Sequence, residues 1–253
     1  MDRLFIGLPA FNESLAIPSL FQKIAVLESE LVPSISSLTI ILNDDGSSDG
    51  TAEIAVSISK KFGLDLELIL NPNNNGLATG LRNILDKFIA LGSESSYLVL
   101  MDCDDTHNPL QIPELISKLE SSKTDIVIAS RYLSNSSVKG VPYLRIFTAI
   151  IARAYLQSLF PKRKVRDFTC GYRIYRYSAI KLLKKAKSSY FESDGFSCMP
   201  EILLRSFRLR LNASEIPIQL RYDLKATPSN MRILENSLKI IVLGIQARIG
   251  RLR

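Results

Sequence analysis

Residues 38–51 read Leu38-Thr39-Ile40-Ile41-Leu42-Asn43-Asp44-Asp45-Gly46-Ser47-Ser48-Asp49-Gly50-Thr51. The apolar run 38–42 has the length and composition of a buried strand. It stops in a dense turn signal of Asp, Gly and Ser, and residues 51–62 then read as a helix. The same unit recurs on both sides. Upstream, residues 4–8 form an apolar run ending in Pro9-Ala10-Phe11-Asn12, followed by a helix with Ile17, Leu20, Phe21, Ile24 and Leu27 on one face. Downstream, a strand at 66–70 is closed by Asn71-Pro72-Asn73-Asn74-Asn75-Gly76, and the next helix sets Leu81, Ile84, Leu85 and Phe88 in register. A strand at 97–101 runs into Asp102-Cys103-Asp104. A helix with Ile112, Leu115, Ile116 and Leu119 follows, and then a fifth strand at 125–130.

Strands that alternate with helices predict an α/β fold with a mostly parallel sheet and helices on both faces. Such sheets bind ligands outside the carboxyl ends of their strands. Polar clusters sit at those ends: Asn12-Glu13, Asp44-Asp45, Asn74-Asn75, Asp102-Asp104 and Arg131. Beyond Arg131 the pattern loosens. Residues 134–140 read as a polar loop, 144–160 as a helix, 162–166 as a basic loop and 171–175 as a strand. Residues 178–183 and 200–207 read as helices, 212–220 as an edge strand containing Pro217, and 229–249 as a closing helix.

The chain has 253 residues and a net charge of +7, which conceals a split. Residues 1–127 carry 8 Lys+Arg and 18 Asp+Glu; residues 128–253 carry 24 and 7. An acidic half suits a metal ion. A basic half suits phosphates, nucleic acid or an anionic membrane, or is simply a solvated surface. No nucleic-acid reader motif is present, and no Gly-x-Gly-x-x-Gly follows the first strand, which argues against a dinucleotide-binding dehydrogenase. Cys103, Cys170 and Cys198 lack metal-ligand spacing and read as reduced thiols of a cytoplasmic protein. The N-terminus is strand-like rather than a signal peptide. The longest apolar run, 240–245, is far short of the ~20 residues of a membrane-spanning helix.

Asp102-Cys103-Asp104 closes a very apolar strand. Carboxylates at i and i+2 on extended chain can share one hard cation, and magnesium or manganese held there would neutralise a departing diphosphate. The competing reading is a helix-capping turn, since Asp105, Thr106, His107 and Asn108 precede a helix. Asp44 and Asp45 offer acceptors to a nucleobase or ribose, or are again part of a capping turn. His107, the only histidine, reads as a turn residue within reach of Asp104.

Taken in order, residues 8–13, 43–51, 75–78 and 101–104 resemble the family-2 glycosyltransferases of the GT-A fold. Ala129-Ser130-Arg131-Tyr132, Arg145 and the segment 167–173 resemble the branch with dolichol-phosphate mannose synthase and the bacterial polyprenyl-phosphate glycosyltransferases. The resemblance implies a single GT-A domain over 1–253. Its nucleotide-sugar half is 1–130, its acceptor half 131–230, and 231–253 is a C-terminal amphipathic helix. It further implies an inverting hexosyltransferase that moves a sugar from GDP-mannose or a UDP-hexose to a polyprenyl or dolichyl phosphate. Pro9, Asn12 and Glu13 match the first nucleotide-contacting loop, and Asp44 and Asp45 the base- and ribose-binding acids. Gly76 matches the family's glycine-rich turn as a substrate contact, and Asp102 and Asp104 the Mg²⁺ or Mn²⁺ ligands, with Thr106 a further one. Arg131 and Arg145 match the arginines on the acceptor phosphate; Asp104, Arg131 and Arg145 are thus the expected catalytic set, with Arg173 and Lys225 as additional substrate contacts. Ala78 replaces a family glycine, and Asn230 stands where the family carries a lysine, with Lys225 and Arg221 nearby as replacements.

An anionic acceptor phosphate needs no strong general base; a hydroxyl acceptor would, and Asp194 and Glu201 are the candidates. A non-catalytic nucleotide-sugar-binding relative is the other alternative. The tail mixes apolar residues with Lys239, Arg248, Arg251 and Arg253, which suits peripheral contact with a membrane or a membrane subunit as well as packing on the domain.

Overall fold

The computed structural model describes residues 2–31, 35–161, 163–186, 189–225 and 233–250, with backbone only for 233–235. The elements run β1 (Asp2–Ala10), α1 (Ile17–Leu31), β2 (Ile35–Asp44), α2 (Thr51–Phe62), β3 (Asp65–Leu70), α3 (Leu77–Leu91) and β4 (Ser96–Leu100). They continue as α4 (Ile112–Ser121), β5 (Ile126–Ser130), β6 (Ser137–Lys139), α5 (Tyr143–Leu159), β7 (Arg173–Arg176) and α6 (Tyr177–Ala186). The last are α7 (Cys198–Arg208), β8 (Ala213–Pro217), β9 (Gln219–Arg221) and α8 (Ile233–Arg248). The central sheet has the order β3-β2-β1-β4-β7-β5-β8 and is parallel except for β7, as the α/β reading expects.

The strands of the first half are buried on both faces. In β1, Leu4, Phe5, Ile6 and Leu8 have no exposed surface. The helix stripes read from the sequence face this sheet: Ile17, Leu20, Phe21, Ile24 and Leu27 of α1, and Leu81, Ile84, Leu85 and Phe88 of α3, are all buried. Gly7 sets how closely α3 approaches. A Cβ at that position would lie 2.5 Å from Ile84 and 2.8 Å from Leu100, so only glycine lets the helix seat on β1.

The sheet is mostly parallel, as expected, with β7 entering between β4 and β5 and running antiparallel to both. Arg173, the first residue of β7, pairs with Leu100 at the carboxyl end of β4 and with Ile128 in the middle of β5, so the chain re-enters the sheet from the carboxyl side of β4 and must run the other way. One expectation is corrected: the polar loop expected at 134–140 contains β6, which pairs in parallel with β9 as a separate two-stranded sheet. Register aligns the strand ends: Leu8, Pro9 and Ala10 stand opposite Leu42, Asn43 and Asp44. The turns after β1 and β2 therefore leave the sheet at one level, beside the turn after β4.

Candidate active site

Two contiguous cavities lie along the carboxyl edge. One, of about 630 Å³, is lined by Pro9, Asn12, Glu13, Asn43, Asp45, Asn74, Gly76, Asp102, Asp104 and Lys225 among others. The other, of about 480 Å³, is walled mainly by apolar residues such as Leu81, Leu100, Val138, Ile146, Ile150 and Met199, but also carries Arg131, Arg145 and Arg153. Asp102 and Arg145 line both, and so mark the junction.

The loops of the polar cavity are laced to one another. Asn12 takes a left-handed backbone (φ 57°). Its side-chain oxygen accepts from the Ser48 N–H at 3.0 Å, and its own N–H donates to Ser47 Oγ at 2.9 Å. The Glu13 N–H donates to Thr51 Oγ1 at 2.9 Å. Asp45 gathers the loop after β3, accepting from Asn71 Nδ2 at 2.7 Å, the Asn75 N–H at 3.0 Å and the Gly76 N–H at 2.6 Å. Gly76 has φ 84° and ψ 163°, a conformation essentially reserved to glycine. Asp44 is buried, accepts from the Ser47 N–H at 3.0 Å and does not line the cavity. Of the two acids, Asp45 is the one brought to the site.

The turn after β4 divides its acids. The Asp102 side chain is 46 % exposed, and its backbone N–H donates to His107 Nδ1 at 3.1 Å. His107 is buried, stacked on Tyr172 at 5.0 Å, and orients the turn from beneath. Asp104 is buried; its Oδ1 accepts from the Thr106 hydroxyl at 2.7 Å and its Oδ2 from the Lys225 ammonium. Burial opposes ionisation of Asp104, but Lys225 and Thr106 hold its carboxyl below the usual carboxylate range. Thr106 is thus committed to Asp104. Asp105, with φ 60°, pairs with Lys23 of α1 at 2.7 Å and pins the turn from outside. Half-buried Glu13 faces this group. Burial, together with Asp104 and Asp102 and against the pull of Lys225, pushes its carboxyl up to about 7.

This donor set suits a magnesium or manganese ion in part. Asp102 and Asp104 are hard oxygen donors, one open to both cavities. Among the described residues no group of three or more His, Cys, Asp or Glu converges, so the remaining ligands would come from substrate phosphates and water.

In the apolar cavity, Arg131 meets the fully buried Asp167 in a two-pronged pair, Nε to Oδ2 at 2.8 Å and Nη2 to Oδ1 at 2.7 Å, and Nη2 also donates to Thr169 Oγ1 at 2.6 Å. Burial opposes the Asp167 charge, yet Arg131 and the surrounding N–H groups keep its carboxyl below the usual range. Arg145 stacks on Tyr222 at 5.1 Å and donates to its hydroxyl at 2.5 Å.

Several expected residues are placed elsewhere. Arg173 has no exposed surface; it donates to the carbonyls of Met199 at 2.8 Å and Phe168 at 2.7 Å and lines neither cavity. It holds the core where β7 enters the sheet, not a substrate. Glu201 is buried in an ion pair with Arg205 at 2.7 Å and accepts from the Glu192 and Ser193 N–H groups. Neither Glu201 nor Asp194 lines either of the two cavities. Arg221 is exposed and paired with Asp223. Ala78 is buried on α3, and Asn230 lies outside the described residues. Sequence reasoning missed Asn43, Asp167, Tyr222, Tyr132 and Arg153 as wall or support residues. Asn43, Tyr132 and Asp167 stand within the motifs that carry the family resemblance, and Arg153 lies on the helix of Arg145, but Tyr222 carried no local signal.

The glycosyl transferase family 2 model matches residues 5–183. The chain is 26% identical over its whole length to polyprenol monophosphomannose synthase of Mycolicibacterium smegmatis, covering 91% of that protein. It is 30% identical over 182 residues to an uncharacterised protein of Methanocaldococcus jannaschii, covering 70% of this chain and 73% of that one. Among solved structures, S. aureus TarS in complex with UDP superposes with a TM-score of 0.59 at 15% identity, over 96% of this chain and 65% of that chain. A mannosyltransferase from Pyrobaculum calidifontis in complex with GDP-Man and Mn²⁺ gives 0.56 at 15%, over 85% and 55%. These two structures share the fold, a mostly parallel sheet between helices. With the match spanning well over half of its length, the chain belongs to glycosyl transferase family 2.

Proposed function

We propose that the protein transfers a hexose, with inversion, from GDP-mannose or a UDP-hexose to a polyprenyl or dolichyl phosphate. One observation carries this reading: an acid-lined polar cavity and an arginine-bearing apolar cavity meet at Asp102 and Arg145. The first suits a nucleotide-sugar and the second a lipid chain ending in phosphate. The relation to polyprenol monophosphomannose synthase supports the same acceptor class.

In this reading Asp45, Asn12 and Glu13 shape the nucleoside end of the donor pocket, and Gly76 allows close backbone approach. Asp102 and Asp104 hold Mg²⁺ or Mn²⁺, which when bound supplies positive charge to the departing diphosphate. Lys225 adds a second cation at the same place. Arg131 and Arg145 fix the acceptor phosphate by planar, forked hydrogen bonds. One phosphate oxygen attacks the anomeric carbon from the face opposite the leaving group. It is ionised near neutral pH, so no base has to remove a proton. A hydroxyl acceptor is less well served, because among the described residues Asp102 is the only carboxylate on the wall of the apolar cavity.

The rim of that cavity suits a membrane surface. On α5, Leu144, Phe147, Ile150 and Ile151 are exposed; on α8, Leu238, Ile241, Val242 and Ile245 are. The two helices are joined by the Tyr155 hydroxyl donating to the Ile241 carbonyl at 2.7 Å. No helix among the described residues is long and apolar enough to cross a bilayer. We read this face as peripheral, resting on an anionic membrane or on a membrane subunit.

The test is transfer from GDP-mannose, UDP-glucose or UDP-N-acetylglucosamine to a short polyprenyl phosphate, with Mg²⁺ or Mn²⁺, against Asp104→Ala. Metal-dependent glycolipid formation that the variant loses supports the proposal. Failure to bind any donor, with or without metal, overturns it.

A further inference from the structure

Arg153 lies a little over two turns beyond Arg145 on α5, about 12 Å along the axis, and lines the same apolar cavity. Its guanidinium carbon stands 4.5 Å from the ring centroid of Tyr132, and that of Arg131 stands 5.6 Å from the same centroid. The two guanidinium groups are therefore at most about 10 Å apart, on either approach to one aromatic ring. Arg131 has Asp167, and Arg145 has the Tyr222 hydroxyl. Arg153 has neither a carboxylate nor a hydrogen-bond acceptor among the described residues; Tyr132 holds it through the face of the ring alone.

A half-buried guanidinium on an apolar wall with its N–H groups unspent is costly unless an anion meets it. Stacking fixes the plane of the fork and leaves its edges free for a phosphate, whose oxygens accept in the same planar geometry. Arg131 already spends Nε and Nη2 on Asp167 and Thr169, so Nη1 is its unspent nitrogen among the described residues. Arg131 and Arg153 line the same cavity beside the same ring, so a phosphate entering it meets both positive charges, and the apolar lining strengthens both interactions.

We propose that Arg153, held flat by Tyr132, is a binding residue for the phosphate of the lipid acceptor. It grips with Arg131 the oxygens that point away from the donor, while Arg145 stays at the junction of the cavities. The assignment rests on the acceptor reading given above.

The experiment measures binding of a short polyprenyl phosphate to the full chain without donor, with the unphosphorylated polyprenol and inorganic phosphate as controls, and then steady-state transfer. Arg153→Gln is expected to weaken lipid-phosphate binding and raise its KM by on the order of tenfold to a hundredfold, with the KM for nucleotide-sugar within about twofold. Arg153→Lys keeps the charge without the planar fork and is expected to fall between. Unchanged donor binding shows that each variant is folded. If wild type binds polyprenyl phosphate and Arg153→Gln binds it equally well, the Arg153 assignment is overturned while the acceptor reading stands. If wild type binds polyprenol and polyprenyl phosphate alike, or neither, the acceptor reading fails and the Arg153 assignment with it. Competition by inorganic phosphate that Arg153→Gln abolishes assigns the site to the phosphate group itself.

Discussion

The ammonium of Lys225 rests on the carboxylate of Asp104, across 121 residues of sequence, with little of either side chain exposed. The pair joins the segment after β9 to the turn after β4 and closes one wall of the polar cavity. Lys225→Met leaves Asp104 buried without its partner. The expected loss is about 1–3 kcal/mol of stability in metal-free buffer, measured by chemical denaturation. Donor affinity in the presence of metal falls as well, because the diphosphate loses a cation.

Asp104→Asn keeps the shape of the turn and one amide oxygen but removes the carboxylate's charge. Transfer is expected to fall by roughly two to four orders of magnitude, equivalent to the several kcal/mol a divalent cation supplies at a leaving diphosphate. A chelator should abolish activity of the native enzyme and added Mg²⁺ or Mn²⁺ restore it, while far-ultraviolet dichroism of the variant stays unchanged.

Arg131→Met strands Asp167 as a buried charge. The expected cost is about 3–5 kcal/mol. The native carboxyl lies below its unfolded value, so the stability it contributes is fully present above the ordinary carboxylate range and is lost as pH falls through the lowered value. In the variant the stranded carboxyl holds its proton more tightly than in the unfolded chain, so the difference between native protein and variant should already shrink as pH falls from neutral, and shrink further below about pH 4. A difference that grows on acidification would contradict the pairing.

Glu13 works in the opposite direction. Its carboxyl is raised from 4.5 to about 7, so between those values the folded protein holds a proton that the unfolded chain has released. Stability therefore declines as pH rises through this window and levels off above it. Glu13→Gln has no such proton to lose. Its stability relative to the native protein should rise from pH 4.5 to pH 7 and then stay constant, as read from melting temperatures across a buffer series.

The first half of the fold was legible because its signals are local. The stripes of α1 and α3 are periodic, and α2 begins and ends at Thr51 and Phe62 as read. Gathering the site's loops at one edge followed from the parallel rule alone. What escaped the sequence depends on partners far along the chain. Nothing near Arg173 tells that it will be sealed among the carbonyls of Phe168 and Met199. Asp45 looks like an acid waiting for a ribose, but three groups from the loop after β3 already engage it. The stacks of Arg145 on Tyr222 and Arg153 on Tyr132 join residues 77 and 21 positions apart and have no periodicity to announce them.

The place of β7 bears on how the molecule can be divided. In the sheet β5 touches only β7 and β8, both drawn from beyond residue 170, while β4 has β1 on one side and β7 on the other. Cut after residue 130, the amino-terminal portion would keep a four-stranded sheet with one raw edge and a fifth strand with no neighbour at all. Residues 1–130 are therefore no autonomous module, in keeping with the reading of 1–253 as a single domain. A ribosome must deliver the returning strand before the open edge of β4 is covered and β5 has any neighbour, which leaves an exposed edge waiting through much of synthesis.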